Sequence, residues 1–171
     1  MMSPETGKKL VDLLFDMYEK DDNNIINKKT TGLVFDFIGG EPLMNIDTMD
    51  EICSYFLNKC VELHHPWLDF WRISMISNGK YYFTDKFQHF LKKWENYLSF
   101  DITIDGPKEL HDSCRVYHDG TGNFDDAWAA LTDFRKKYGQ NFSTKITISK
   151  DNLLNMNKIV EFFVQNGITY L

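Results

Sequence analysis

Gly39-Gly40-Glu41-Pro42 is a run suited to holding a charged ligand. Consecutive glycines present backbone with no Cβ, so a ligand can approach the main chain closely. The carboxylate of Glu41 accepts from a cation, and Pro42 stiffens the exit from the corner. Open backbone beside one acid suits a ligand carrying an ammonium group. The same residues also punctuate an ordinary strand-to-helix turn, and the tetrapeptide alone leaves both readings open. Ser77-Asn78-Gly79 and Asp105-Gly106-Pro107 are further glycine-bearing corners, the second again with an acid. His64 and His65 look like a metal pair only on paper. Adjacent side chains diverge on a helix, so a capping or surface position is expected for them. Cys53, Cys60 and Cys114 make neither a disulfide framework nor a CxxC zinc pair. Cys53 and Cys60 share one helix face and read as small core residues, whereas Cys114 follows a turn and is open to either burial or exposure.

The corners need elements to hold them. Ser3 and Pro4 open a helix with Leu10, Leu13, Leu14 and Met17 at helical spacing. A polar loop over 21–31 leads into a strand, Leu33 to Ile38, which ends at the diglycine corner. Asp47 is the expected cap of a second helix, whose apolar stripe is Met49, Ile52, Cys53, Phe56, Cys60 and Val61. A second strand (Leu68 to Ile76) stops at Ser77-Asn78-Gly79, and a helix from Thr84 buries Phe87, Phe90, Leu91 and Trp94. A third strand, Leu98 to Ile104, runs into Asp105-Gly106-Pro107. Asn123 is expected to cap a helix with Phe124, Ala127, Trp128, Leu131 and Phe134 inside, stopped by Gly139. A fourth strand, Ser143 to Ser149, precedes a cap at Asp151 or Asn152 and a helix carrying Leu154, Ile159, Phe162 and Phe163. A fifth strand starts at Ile168.

Strand and helix thus alternate at β-α spacing, which implies an α/β fold of parallel strands with right-handed crossovers. A TIM-like barrel and an open doubly wound sheet both satisfy the pattern. In either, the reactive face lies at the carboxyl ends of the strands, where the glycine-bearing corners fall. Loop punctuation explains part of that clustering, but it does not call for acids there.

The 171 residues fit one domain or most of a larger one, and 43% hydrophobic content allows a sizeable core. The net charge of −6 argues against nonspecific nucleic-acid binding. No run is apolar enough to span a membrane, and the amino terminus lacks signal-peptide character. A cytoplasmic setting is expected from the cysteine usage.

The order of these pieces resembles the radical S-adenosylmethionine superfamily. Phe37-Ile38-Gly39-Gly40-Glu41-Pro42-Leu43 is similar to its "GGEP" motif after the second strand, and Ile76-Ser77-Asn78-Gly79 to its "TNG" turn. Thr103-Ile104-Asp105-Gly106-Pro107 with His111, Asp112 and Arg115 resembles an "S-x-D-G-P…H-D-x-x-R" stretch, and Gly120 to Asp125 fits "G-x-G-x-F-D". That stretch is typical of the peptide maturases and sulfatase-maturing enzymes with a SPASM or related region. Within the superfamily the chain as a whole looks most like a maturase of ribosomally made peptides, of the branch associated with CxxxC-repeat targets. The resemblance implies a partial TIM-like (β/α) barrel covering the β2-to-β5 part of the core, with residues 1–171 as one fragment of it. It implies that Gly39, Gly40, Glu41 and Pro42 meet the methionyl amino group of S-adenosylmethionine. Ser77 and Asn78 would lie beside the adenosyl part. Thr103 stands where the family often has Ser, a hydroxyl within reach of the ribose. Asp105 is shared between a ligand contact and a turn role. Arg115 is shared between the cofactor carboxylate, a substrate acid and a surface pair with Asp112.

The resemblance also has a gap. The family's CxxxCxxC loop, which holds a 4Fe–4S cluster, has no counterpart in Cys53, Cys60 and Cys114. The expectation is therefore an internal piece of a longer enzyme, Met1 being an internal methionine, with the cluster ligands elsewhere and the isolated piece inactive. The parent is expected to abstract a hydrogen atom from a ribosomally made peptide by way of a 5′-deoxyadenosyl radical. An incomplete barrel would leave strand edges through which copies self-associate. Two rival classes remain. One is a non-radical α/β enzyme with Glu41 and Asp105 on a divalent metal; the other is a binding domain without catalysis.

Overall fold

The computed structural model describes residues 2–22, 24–139 and 144–168. Helix α1 (Pro4–Lys20) starts as expected: Ser3 is extended and its Oγ accepts from Thr6 N at 3.3 Å, and Pro4 takes the first turn. Its buried stripe differs from the expected one. Gly7, Val11, Phe15 and Tyr18 face inward, while Leu10 and Leu13 are exposed. The cause lies in α2 (Ile46–Glu62), because a Cβ on Gly7 would stand 2.2 Å from Ile52 Cδ1. The missing side chain lets the two helices approach at that point and sets which face of α1 turns in.

Strand β1 (Leu33–Phe37) ends one residue short of Ile38 and is followed by a 3-10 turn, Pro42–Asn45. In α2 the residues Met49, Ile52, Cys53, Phe56 and Cys60 are buried as expected, whereas Val61 is exposed. Asp47 lies inside the first turn instead of capping it, since the helix already begins at Ile46. A second 3-10 turn, Pro66–Leu68, takes Leu68 out of the following strand, β2 (Trp71–Ser77). Helix α3 (Asp85–Trp94) buries Phe87, Phe90, Leu91 and Trp94. Strand β3 (Leu98–Thr103) is followed by the short α4 (Lys108–Cys114) and by α5 (Phe124–Tyr138). Strand β4 is only Thr144–Lys145, paired parallel with β3 through Ile102↔Thr144 and Thr103↔Lys145. The expected strand to Ser149 therefore stops early, and its start at Ser143 lies outside the described residues. Ser149 caps α6 (Lys150–Leu153) in a capping box with Asn152, a role the sequence had suggested for Asp151 or Asn152. In α7 (Met156–Gln165), Ile159 and Phe163 are buried, and Leu154 before it is exposed. Ile168 is buried outside any strand, and the rest of the expected fifth strand lies outside the described residues.

Among the described residues four strands run parallel in the order β1-β2-β3-β4. The chain divides into two compact units: Met1–Ser74 with Asp85–Ser99, and Met75–Thr84 with Phe100–Leu171. The first is cored by aromatic rings, among them Phe35 on Phe56 (4.8 Å between centroids), Phe56 on Trp71 (5.1 Å) and Phe15 on Trp67 (5.1 Å). His65 is part of that core. It is buried against Phe15, Tyr18 and Trp67, and its Nδ1 accepts from Trp67 N at 3.3 Å. It does cap a turn, the one that follows it, but it is no surface residue; His64 beside it is exposed. The second unit is built on Tyr82, Phe100, Phe134 and Phe163, with Tyr82 Oη donating to Asp133 Oδ2 at 2.8 Å. No helix of the described residues is long and apolar enough to cross a membrane.

Candidate functional site

In the first unit, the end of β1 opens into a cavity of about 430 Å³. Gly39, Gly40, Glu41 and Pro42 form one wall, Phe37 and Ile38 lead into it, and Met49 and Ile52 of α2 contribute apolar surface. Neither Gly39 nor Gly40 has a positive φ, and a Cβ on either would meet nothing within 4 Å. Conformation and packing within the chain therefore do not call for glycine at these positions. What glycine adds is bare backbone facing open space, where a ligand can reach the peptide groups. Glu41 is extended, and its Oε1 accepts from Leu43 N at 3.0 Å, which caps the 3-10 turn. That bond anchors the carboxylate at the cavity wall. Pro42 occupies the first position of the turn, where a missing N–H costs nothing.

In the second unit, the corners after β2 and β3 carry the remaining expected residues. Ser77 is buried, and its Oγ accepts from Gly79 N at 2.9 Å. Asn78 Oδ1 accepts from Lys80 N at 3.0 Å. Gly79 has φ 83°, and a Cβ there would lie 2.8 Å from Ala127 Cα, so this glycine is required on both grounds. Thr103 closes β3 and is almost wholly buried.

Asp105 is 1% exposed and fully engaged. Its Oδ1 accepts from Thr147 N at 2.7 Å, and its Oδ2 accepts from Arg115 Nε. Arg115 Nη2 also donates to Thr147 Oγ1 at 2.9 Å. The arginine is therefore paired with Asp105 and not with Asp112. Asp112 accepts from Phe124 N at 2.9 Å and pairs with Lys108 at 3.2 Å. It thereby supplies the cap of α5 that the sequence had suggested for Asn123.

Asn123 is engaged elsewhere. Asp105 N donates to His111 Nδ1 at 3.0 Å, His111 Nε2 donates to Asn123 Oδ1 at 2.7 Å, and Asn123 Nδ2 donates to Asn78 O at 2.8 Å. His111 is completely buried, and burial holds its pKa below the ordinary histidine value. Sequence reasoning missed this connection. Helix α4 is short and polar, and no apolar stripe marks which of its residues turns inward.

The cysteines do not fit an iron–sulfur cluster. Cys53 and Cys60 are sealed in the core of the first unit, and burial pushes both thiols up to about 12. Among the described residues no group of three His, Cys, Asp or Glu could hold a metal ion. S-adenosylmethionine is different: an open diglycine backbone, an anchored carboxylate and an apolar wall suit its ammonium and its methylene chain.

The fold is a partial TIM-like (β/α) barrel, parallel strands alternating with helices. Among solved structures it is similar to anSMEcpe, an anaerobic sulfatase-maturating radical S-adenosylmethionine enzyme. The likeness to native anSMEcpe with bound AdoMet and the Kp18Cys peptide has a TM-score of 0.74 at 20% identity, over 100% of this chain and 42% of that one. For native anSMEcpe with bound AdoMet the TM-score is 0.74 at 21% identity, over 100% and 41%. The chain thus spans about two fifths of the length of these proteins. No protein-family model and no curated protein matches it.

Proposed function

We propose that this chain is the S-adenosylmethionine-binding part of a radical S-adenosylmethionine enzyme that modifies a peptide. The observation that carries the reading is the diglycine wall: backbone left bare toward a cavity, beside a carboxylate fixed by Leu43 N. The fold it shares with a protein solved holding AdoMet and a peptide supports the same reading. In it, Gly39 and Gly40 expose peptide groups to the methionyl end, Glu41 accepts from the ammonium, and Pro42 keeps the corner rigid. To Ser77, Asn78 and Thr103 the proposal assigns recognition of the adenosyl part. Asp105 and Arg115 act on each other and keep the third corner in place. Bound in a complete enzyme, the cofactor supplies one-electron chemistry; this chain binds, orients and excludes water. The cluster's thiolates belong to another part of that enzyme, and the piece by itself turns nothing over. A ribosomally made peptide as substrate, of the SPASM-type or CxxxC-repeat class, is the finer form of the proposal.

Anaerobic titration calorimetry with S-adenosylmethionine tests it. Binding is expected to the chain as it stands. Gly40→Val is expected to change the melting temperature of the free chain little, because a Cβ there meets nothing within 4 Å. The same change is expected to weaken binding by at least about tenfold, the equivalent of about 1.4 kcal/mol. Equal affinity in the two proteins would remove the diglycine wall from the site.

A further inference from the structure

We propose that His111 is a positioning residue, a neutral imidazole that ties the Ser77-Asn78-Gly79 corner to the Asp105-Gly106-Pro107 corner through Asn123. The bonding fixes its state. Asp105 N–H can only donate, so Nδ1 must carry a lone pair. The proton then sits on Nε2 and goes to Asn123 Oδ1. That leaves the Asn123 amide group pointing to Asn78 O. Each link has a defined direction, and together they run from the backbone of one strand end to the backbone of another.

The surroundings preserve that state. The Phe124 ring packs T-shaped against the imidazole, with 5.5 Å between centroids and 77° between planes. The charged groups nearby are Asp105, Asp112 and Arg115, two acids and one base. The acids have partners of their own, Asp105 in Arg115 and Thr147 N, Asp112 in Lys108 and Phe124 N. A second ring proton would put a donor on Nδ1 against the Asp105 N–H and break the first link. On the reading under Proposed function, Ser77 and Asn78 of one corner and Thr103, which leads into the other, serve the adenosyl part of the cofactor, and His111 then sets their mutual orientation without touching it.

The test uses the 171-residue chain labelled with nitrogen-15. A two-bond proton–nitrogen correlation spectrum at neutral pH should show His111 as the Nε2–H tautomer; an Nδ1–H tautomer or an imidazolium overturns the proposal. Two variants then cut the links separately. His111→Asn places an amide oxygen near Nδ1, keeping the Asp105 link and losing Asn123. His111→Gln reaches the Nε2 position, keeping Asn123 and losing Asp105. The amide signals of Asn78 and Gly79 should move in the first, and that of Asp105 in the second. Identical shifts in both variants overturn the relay. With S-adenosylmethionine as probe, each variant should bind up to about tenfold more weakly, the worth of one buried hydrogen bond; affinities equal to the unsubstituted chain overturn the positioning role. If the unsubstituted chain binds no S-adenosylmethionine, the functional reading fails, while the tautomer and the amide shifts still decide the relay.

Discussion

At the scale of single residues, two buried histidines shape the acid response. Burial lowers the pKa of both His65 and His111 in the folded chain. Above the ordinary histidine value of about 6.5 both are neutral whether folded or not, and they add no pH dependence. Below it the unfolded chain takes up protons that the folded chain resists. Stability is therefore complete above about pH 6.5 and falls as the pH drops toward the folded values, by at most about 1.4 kcal/mol per pH unit for each group. Chemical denaturation between pH 7 and 5 should show this loss. His65→Asn keeps an acceptor for Trp67 N and should flatten part of the slope. An unchanged slope would mean that His65 is accessible to protons in the folded state. The sequence contains both histidines but not their burial: it suggests a capping or surface position for His65, of which the cap is found, and for His111 only a match to a motif.

At the scale of elements, the glycines separate into kinds that their positions in the sequence do not distinguish. Gly39 and Gly79 both follow a strand, yet only Gly79 has positive φ and a helix backbone against it. Gly79→Ala should cost about 1–3 kcal/mol through left-handed strain and overpacking against α5, read by urea denaturation. Gly39→Ala should stay within about 0.5 kcal/mol of the unsubstituted chain, as expected at an open site. A small loss at Gly79 would mean that the β2 corner shifts freely against α5. The order and type of most elements were legible, because β-α alternation depends on local pattern and on caps such as Ser3 and Gly139. The buried face of α1 was not. Its leucines form as good a stripe as Val11, Phe15 and Tyr18, and the choice between them is made by the contact of Gly7 with Ile52, forty-five residues away in sequence. The short β4 was overestimated because Ile146 and Ile148 extend the apolar alternation past the last paired residue, Lys145. At the candidate site the diglycine corner was legible because its chemistry is local. The Asp105–Arg115 pair and the Asn123 link were not, since both join residues that only the folded chain brings together.

At the scale of the whole molecule, β1 ends the strand order among the described residues. Val34 on that strand and Ile38 just beyond it are 64% and 80% exposed. An unpaired apolar edge is a template for another chain. Sedimentation velocity should show species larger than 20.2 kDa whose share rises with protein concentration. Val34→Lys, a charge on the edge, should return the chain to a single slow boundary. A single 20.2 kDa species at every concentration would show that the edge is already protected. The thiols have a more practical consequence. Cys53 and Cys60 are sealed and poorly ionised, and Cys114 is exposed at the end of α4, next to Arg115. A maleimide dye added to the folded chain will therefore attach at one place. Its fluorescence will report on the corner that Asp105 and Arg115 hold, with no residue changed to install it.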